Sequence, residues 1–218
     1  MIHPHTELRF INEAIGYGVV ATQFIPRGTV TWALDKLDRI FTPTDVHKLD
    51  PLYQQVLDKY TYRNAEGNYV LCWDNARFVN HSFRSNCLTT AYEFEIAIRD
   101  IHPGEELTDD YGYLNIDEPF EVLPEEGVER TVVYPDDILR NYLRWDEQLA
   151  DAFPDVVRVD QPLFNILSAE LRERAQRIAE NREKLHSILH CYYPRHNGRL
   201  NGEAKMVTEK SPRMVYPF

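Results

Sequence analysis

Arg77-Phe78-Val79-Asn80-His81-Ser82 and Gly104-Glu105-Glu106-Leu107-Thr108-Asp109-Asp110-Tyr111-Gly112 decide the reading of this 218-residue chain. The first segment sets an amide and an imidazole after two apolar residues. The second opens on a glycine turn and runs through carboxylates to a tyrosine. Between them, residues 88–98 have strand character, with Ala91, Phe94, Ile96 and Ile98 in alternation. Taken singly, these residues are ambiguous. A histidine between Asn and Ser is more often structural than a ligand, and the acidic run reads equally as a solvated turn. Two carboxylate pairs on one turn do not guarantee the converging oxygens that a metal needs. Ser82 beside His81 is poorly placed for a nucleophile and base, and no Gly-x-Ser-x-Gly elbow surrounds it.

Toward the N-terminus stand Gly16-Tyr17-Gly18-Val19-Val20-Ala21 and Ile25-Pro26-Arg27-Gly28-Thr29. A glycine pair alone marks a tight turn. Residues 7–12 and 17–24 read as short strands around that turn, and 29–34 as a third. Thr42-Pro43-Thr44-Asp45 has helix-start chemistry, and helical spacing continues around Pro51 to Tyr60. Residues 68–73 return to strand character. Short strands interrupted by one helical insert do not fit a βαβ sheet, in which strands and helices alternate regularly.

Three motifs in this order resemble those of the SET-domain methyltransferases, over roughly residues 7–121, and specifically bacterial-type members without pre-SET and post-SET zinc cysteines. The resemblance implies a mainly β fold with some α, the SET-domain β-clip with a knot-like core, followed by a helical C-terminal extension. It implies S-adenosylmethionine as cofactor, and transfer of its methyl group to a lysine side chain of a protein. By the same resemblance, Asn80 holds the methionine end of the cofactor through its amide, and His81 meets adenine through its main chain. Gly16, Tyr17 and Gly18 present backbone along the methionine moiety. Tyr111 matches the catalytic tyrosine, which orients the amine and polarises the transferring methyl. A phenol near pKa 10 is a poor outright base at neutral pH, so water is expected to deprotonate the lysine. Tyr113, Tyr60 and Tyr62 are candidates for the aromatic wall of the lysine channel. Asp109 stands where many members carry an aromatic residue; it either faces the channel, attracting the ammonium, or points to solvent. Many members continue the Asn-His-Ser motif with Cys-x-Pro-Asn, where this chain has Phe83-Arg84-Ser85-Asn86. The alternative to an enzyme is a non-catalytic module of this fold that binds a basic peptide or the cofactor.

Composition agrees. At 43% hydrophobic, the chain can bury one substantial core. No apolar run is long enough to span a bilayer, and Met1-Ile2-His3-Pro4-His5 lacks the regions of a signal peptide, so a cytoplasmic location and no membrane partner are expected. Cys72, Cys87 and Cys191 are too few for a disulfide framework, and no metal site is expected. The formal net charge of −11 disfavours direct nucleic-acid binding, and an acidic surface suits a basic, lysine-containing protein substrate. Residues 1–121 are expected to form the SET domain, 122–190 a helical extension and 191–218 an irregular tail. Within the extension, residues 121–133 read as loop, Asp136-Asp137 as the cap of a helix to about Trp145, and Pro162 as the start of a long helix to about His190. Leu167, Leu171, Ala175, Ile178, Leu185 and Leu189 form a stripe on that helix. It is expected to pack on the chain's own core, with a coiled-coil-like homodimer seam as the alternative.

Overall fold

The structure is a computed structural model that describes residues 1–194. β1 (Thr6–Asn12) and β2 (Gly16–Ala21) pair antiparallel. Their turn puts Gly16 at φ 82°, a left-handed conformation that costs a residue with a Cβ. β3 (Val30–Ala33) pairs with β9 (Phe94–Ala97), which pairs in turn with β8 (Cys87–Thr89). The single strand expected over residues 88–98 is therefore a hairpin. Glu93 turns the chain at φ 61°, and the Thr90 hydroxyl donates to the Phe94 carbonyl at 2.6 Å. Alternation does not distinguish one strand from two arms that meet at a tight turn.

Thr42 and Asp45 form a reciprocal capping box on α1 (Pro43–His47), and Asp50 caps α2 (Pro51–Tyr60), which begins on its proline. α2 runs into β5 (Thr61–Arg63), and β5 and β4 (Arg39–Phe41) flank β6 (Tyr69–Leu71). β7 (Asn80–His81) and β10 (Thr108–Asp109) pair in parallel, with Asn80 beside Thr108 and His81 beside Asp109. This mixture of short strands with helices is a mainly β architecture with α.

The C-terminal part differs more from expectation. The ends of residues 121–133 are not loop, because β11 (Phe120–Glu121) pairs with β12 (Val132–Val133). α3 (Asp137–Ala152) extends well past Trp145. Asp136 makes no side-chain cap; instead the Asp137 carboxylate accepts from the Tyr134 N–H at 2.8 Å. The long helix from Pro162 does not form. α4 covers Ala169–Ala179, capped by Ser168 and followed by Asn181 at φ 57°, and Ser187 caps a separate short turn at Ile188–Cys191. Cap-forming serines divide what the leucine spacing alone would join. All of the stripe but Leu189 nevertheless packs on the chain's own core. Leu167, Ala175 and Ile178, with Leu171 and Leu185 at the margin, pack in one cluster with Val30, Phe94, Trp145 and Phe153. A second cluster, around Val19, Trp32, Cys72, Cys87 and Leu107, fills the other side of the β3-β9-β8 sheet. Cys72 and Cys87 are buried free thiols pushed up by desolvation. Of the irregular tail expected over residues 191–218, Cys191 belongs to the short turn capped by Ser187, and residues 195–218 lie outside the described residues.

Arg130 joins the two parts. Its guanidinium reaches Asp110 at 2.6 Å and Asp137 at 2.7 Å, and lies 4.2 Å from the centre of the Phe83 ring. Both carboxylates are almost fully buried. Desolvation raises Asp110 despite Arg130, so removing the arginine leaves two buried acids unpaired. Arg130→Ala should cost about 3–5 kcal/mol in chemical denaturation. Arg130→Lys should recover only part of that loss, because an ammonium cannot reproduce the fork.

Candidate functional site

The parallel pair places Tyr111 beneath the Asn80-His81 segment. The Tyr111 N–H donates to His81 Nδ1 at 3.0 Å, and the Tyr111 hydroxyl donates to the Val79 carbonyl at 2.6 Å. Because Nδ1 accepts, the neutral ring carries its proton on Nε2, which is buried and has no partner among the described residues. The imidazole lies edge-on to Phe83 at 4.5 Å and to Phe120 at 6.0 Å. Desolvation lowers its pKa to about 4, so it is neutral at physiological pH. Burial holds the Tyr111 phenol well above its ordinary value, further from a base than the free side chain.

Asn80 binds across to the glycine hairpin. Its Nδ2 donates to the Tyr17 carbonyl at 3.0 Å and to Glu106 Oε1 at 2.6 Å, and its hydrogen bonds among the described residues are all made by that nitrogen. Gly18 has to be small here: a Cβ would meet Glu106 Oε1 at 2.1 Å and Asn80 Nδ2 at 2.9 Å. The Tyr17 side chain is exposed, packed edge-on to Phe10 at 5.7 Å, so Tyr17 contributes to the site through its backbone. Glu106 leads into a cleft of about 630 Å³, lined also by Ser82, Arg84, Thr108 and Glu125. Glu125 closes one side, accepting from the Ser82 hydroxyl and the Phe83 N–H, each at 2.9 Å. Residues after Phe120 thus build part of the wall.

The channel candidates have surroundings of their own. Tyr60 is half-buried, with its ring 5.8 Å from Phe78, and Tyr62 lies edge-on to Trp32 at 5.9 Å. Tyr113 is sealed in the core against Trp145 at 5.3 Å, so its ring is not a wall open to solvent. It meets the site through its hydroxyl, which donates to Asp109 Oδ1 at 3.0 Å. Asp109 does not point to solvent: it is 6% exposed, and desolvation raises its carboxyl to about 7. Glu95 was not singled out from the sequence. It sits on the same sheet face as its β3 partner Trp32, and burial with the nearby Asp109 charge pushes its carboxyl well up. Its place between Phe94 and Ile96 signals a solvent-facing strand position, and only the second core cluster covers that face.

Two findings bear on kinship. Residues 16–112 match the family model of the SET domain. No curated protein matches the chain.

Asp109 binds its proton more tightly folded than unfolded, so its contribution to stability is fully present below about pH 4 and is lost as pH rises through about 7. Asp109→Asn keeps an acceptor for Tyr113 and removes the titration. Its melting temperature should match wild type near pH 4 and exceed it at pH 8 by roughly 5–15 °C. Scanning calorimetry at the two pH values checks this, and equal differences at both would mean a solvated carboxyl.

Proposed function

With a SET domain over residues 16–112, we propose that the protein is an S-adenosylmethionine-dependent protein-lysine methyltransferase; SET domains typically have that activity. The observation that carries this reading is the fixation of Tyr111 at both ends, by His81 through its N–H and by Val79 through its hydroxyl. The donor set fits the cofactor. Asn80 commits Nδ2 and retains Oδ1 as an acceptor for an ammonium, and the orphaned His81 Nε2–H is the kind of buried donor that a ligand satisfies. Glu106, which binds Asn80, lines a cleft of suitable size for a nucleoside. When bound, the cofactor would supply an electrophilic methyl on a sulfonium.

The protein's part is to orient and to exclude water. Tyr111 commits its proton to Val79, so its oxygen lone pairs remain to accept from the amine or from the polarised methyl. Its raised pKa keeps it a neutral dipole, which suits orientation and not proton abstraction. His81 acts through Tyr111 as a positioning residue. The parallel pairing of Asn80-His81 with Thr108-Asp109 is, in this reading, the crossing of a knot-like core, and residues 122–190 replace a zinc-bound closing element. The acceptor is a lysine on a basic protein segment, attracted by the net negative charge.

Tyr111→Phe keeps the ring and removes the hydroxyl. It should cut methyl transfer to lysine-bearing protein in a labelled-cofactor assay by about 10²-fold or more, with cofactor affinity nearly unchanged. Equal turnover would remove Tyr111 from the mechanism. Asn80→Ala should weaken cofactor binding in calorimetry by about 1–3 kcal/mol. No heat from wild type with either the cofactor or its demethylated product would remove the methyltransferase reading.

A further inference from the structure

Glu106 lines the cleft beside Asn80 and is fixed there from both sides. Its carbonyl accepts from Asn86 Nδ2 at 2.8 Å, its backbone bridges Val20 on β2, and the next N–H, of Leu107, donates to the Val19 carbonyl. Its Oε1 accepts from Asn80 Nδ2 at 2.6 Å and packs on the backbone of Gly18, where a Cβ would come within 2.1 Å. Oε2 has no hydrogen-bond partner among the described residues and is not sealed from solvent, so it is open to the cleft. A side chain mounted in this way is held in place before any ligand arrives.

The same carboxylate lacks a counter-charge. Among the described residues, no lysine, arginine, histidine or terminal amine lies within ion-pair distance of it. The two arginines of the cleft are committed elsewhere, Arg99 to Glu105 and Arg84 to the Glu126 carbonyl. Desolvation raises the Glu106 carboxyl, against the pull of its bond from Asn80. A half-buried acid in that position gains from a cation that enters the cleft. A metal ion does not fit, because among the described residues no three His, Cys, Asp or Glu side chains are grouped to hold one.

Position decides which cation does fit. Glu106 Oε1 touches Asn80, and the Tyr111 hydroxyl donates to the carbonyl of Val79, the residue before it. The carboxylate and the phenol therefore flank one peptide step, and Glu106 bears electrostatically on Tyr111. In the methyltransferase reading, on which this inference rests, a methyl-bearing sulfonium lies against the Tyr111 hydroxyl, and so within the field of Glu106. The demethylated product carries the same adenosine, ammonium and carboxylate groups, with a neutral thioether where the sulfonium was.

We propose that Glu106 distinguishes the cofactor from its demethylated product by supplying the counter-charge of the sulfonium. Transfer breaks the bond between sulfur and the methyl carbon and leaves that electron pair on sulfur. The new bond to the methyl forms from the lone pair of the acceptor nitrogen. The positive charge departs with the methylated amine, or as a proton passed to water. Glu106 is then again without a cation, and the product is held less tightly than the fresh cofactor that replaces it. The residue sets which ligand the cleft prefers, while Tyr111 keeps its part in orienting the amine.

Calorimetry on the full chain, with S-adenosylmethionine and S-adenosylhomocysteine as probes, reads this as a ratio of two affinities. Wild type should bind the sulfonium about tenfold or more tighter than the product, as an attraction between partly desolvated charges gives. Glu106→Gln keeps an oxygen to accept from Asn80 Nδ2 and removes the charge. It should weaken the cofactor about tenfold more than the product. A bracing role alone would weaken both ligands equally. Glu147→Gln, the same change at an exposed position of α3, should leave the ratio in place. Equal or tighter binding of the product by wild type overturns the proposal whatever the variants do, as does an unchanged ratio in Glu106→Gln. Binding of neither ligand by wild type would remove the methyltransferase reading itself, so the two failures are distinct.

Discussion

The parallel pairing of Asn80-His81 with Thr108-Asp109 is the constraint on which the rest depends. Parallel strands require a crossover between them, and so short a ladder holds little by itself. It is secured from outside. The fully buried Asn86 accepts from the Thr108 N–H at 2.9 Å and donates to the Glu106 carbonyl at 2.8 Å, fixing the approach to β10 by its side chain. The Leu107 N–H then donates to the Val19 carbonyl, and the Ser82 N–H to the Asp109 carbonyl. Within Phe83-Arg84-Ser85-Asn86, where the chain departs from the SET pattern, the residue that braces the pair is the asparagine that agrees with it. The departures are Phe83, whose ring takes the Arg130 guanidinium, and Ser85, which is buried.

From that pairing the chemistry of the site follows by proximity. Once His81 stands beside Asp109, the next turn brings the Tyr111 N–H to the imidazole and its hydroxyl to Val79. Burial then sets the charge states. The histidine is kept neutral and the phenol protonated, which leaves carboxylates as the groups nearby that still change charge near neutral pH. A protein optimised only for stability would replace such carboxylates with apolar or amide side chains, and stability given up at one place is a common mark of function.

Much of this was legible in local chemistry. The Thr42–Asp45 capping box, the prolines that open α1 and α2, and the turn at Gly16 are devices acting over a few residues, and the chain spells them out. The three motifs single out Asn80, Gly18 and Tyr111, and the fold brings Asn80 to Gly18 and His81 to Tyr111. What failed depended on distant partners. The break between α4 and the turn at Ile188 is set by Ser168, Asn181 and Ser187 together with packing on β3 and β9, whereas a leucine stripe reads as continuous. Glu95 looks like the wet face of a strand because nothing local announces that the cluster around Trp32 packs on that face. Arg130 stood in a segment read as loop, and its two partners are 20 and 7 residues away.

The same electrostatics limits what the site can accept. The cleft beyond Asn80 presents Glu105, Glu106, Glu125 and Glu126. Two arginines line it, but Arg99 is paired to Glu105 and Arg84 is bound to the Glu126 carbonyl. A phosphate backbone needs clustered, available cations, and in this lining four carboxylates face two occupied arginines. A cationic group meets the opposite situation, because opposite charges that are each costly alone in a low-dielectric space stabilise one another there.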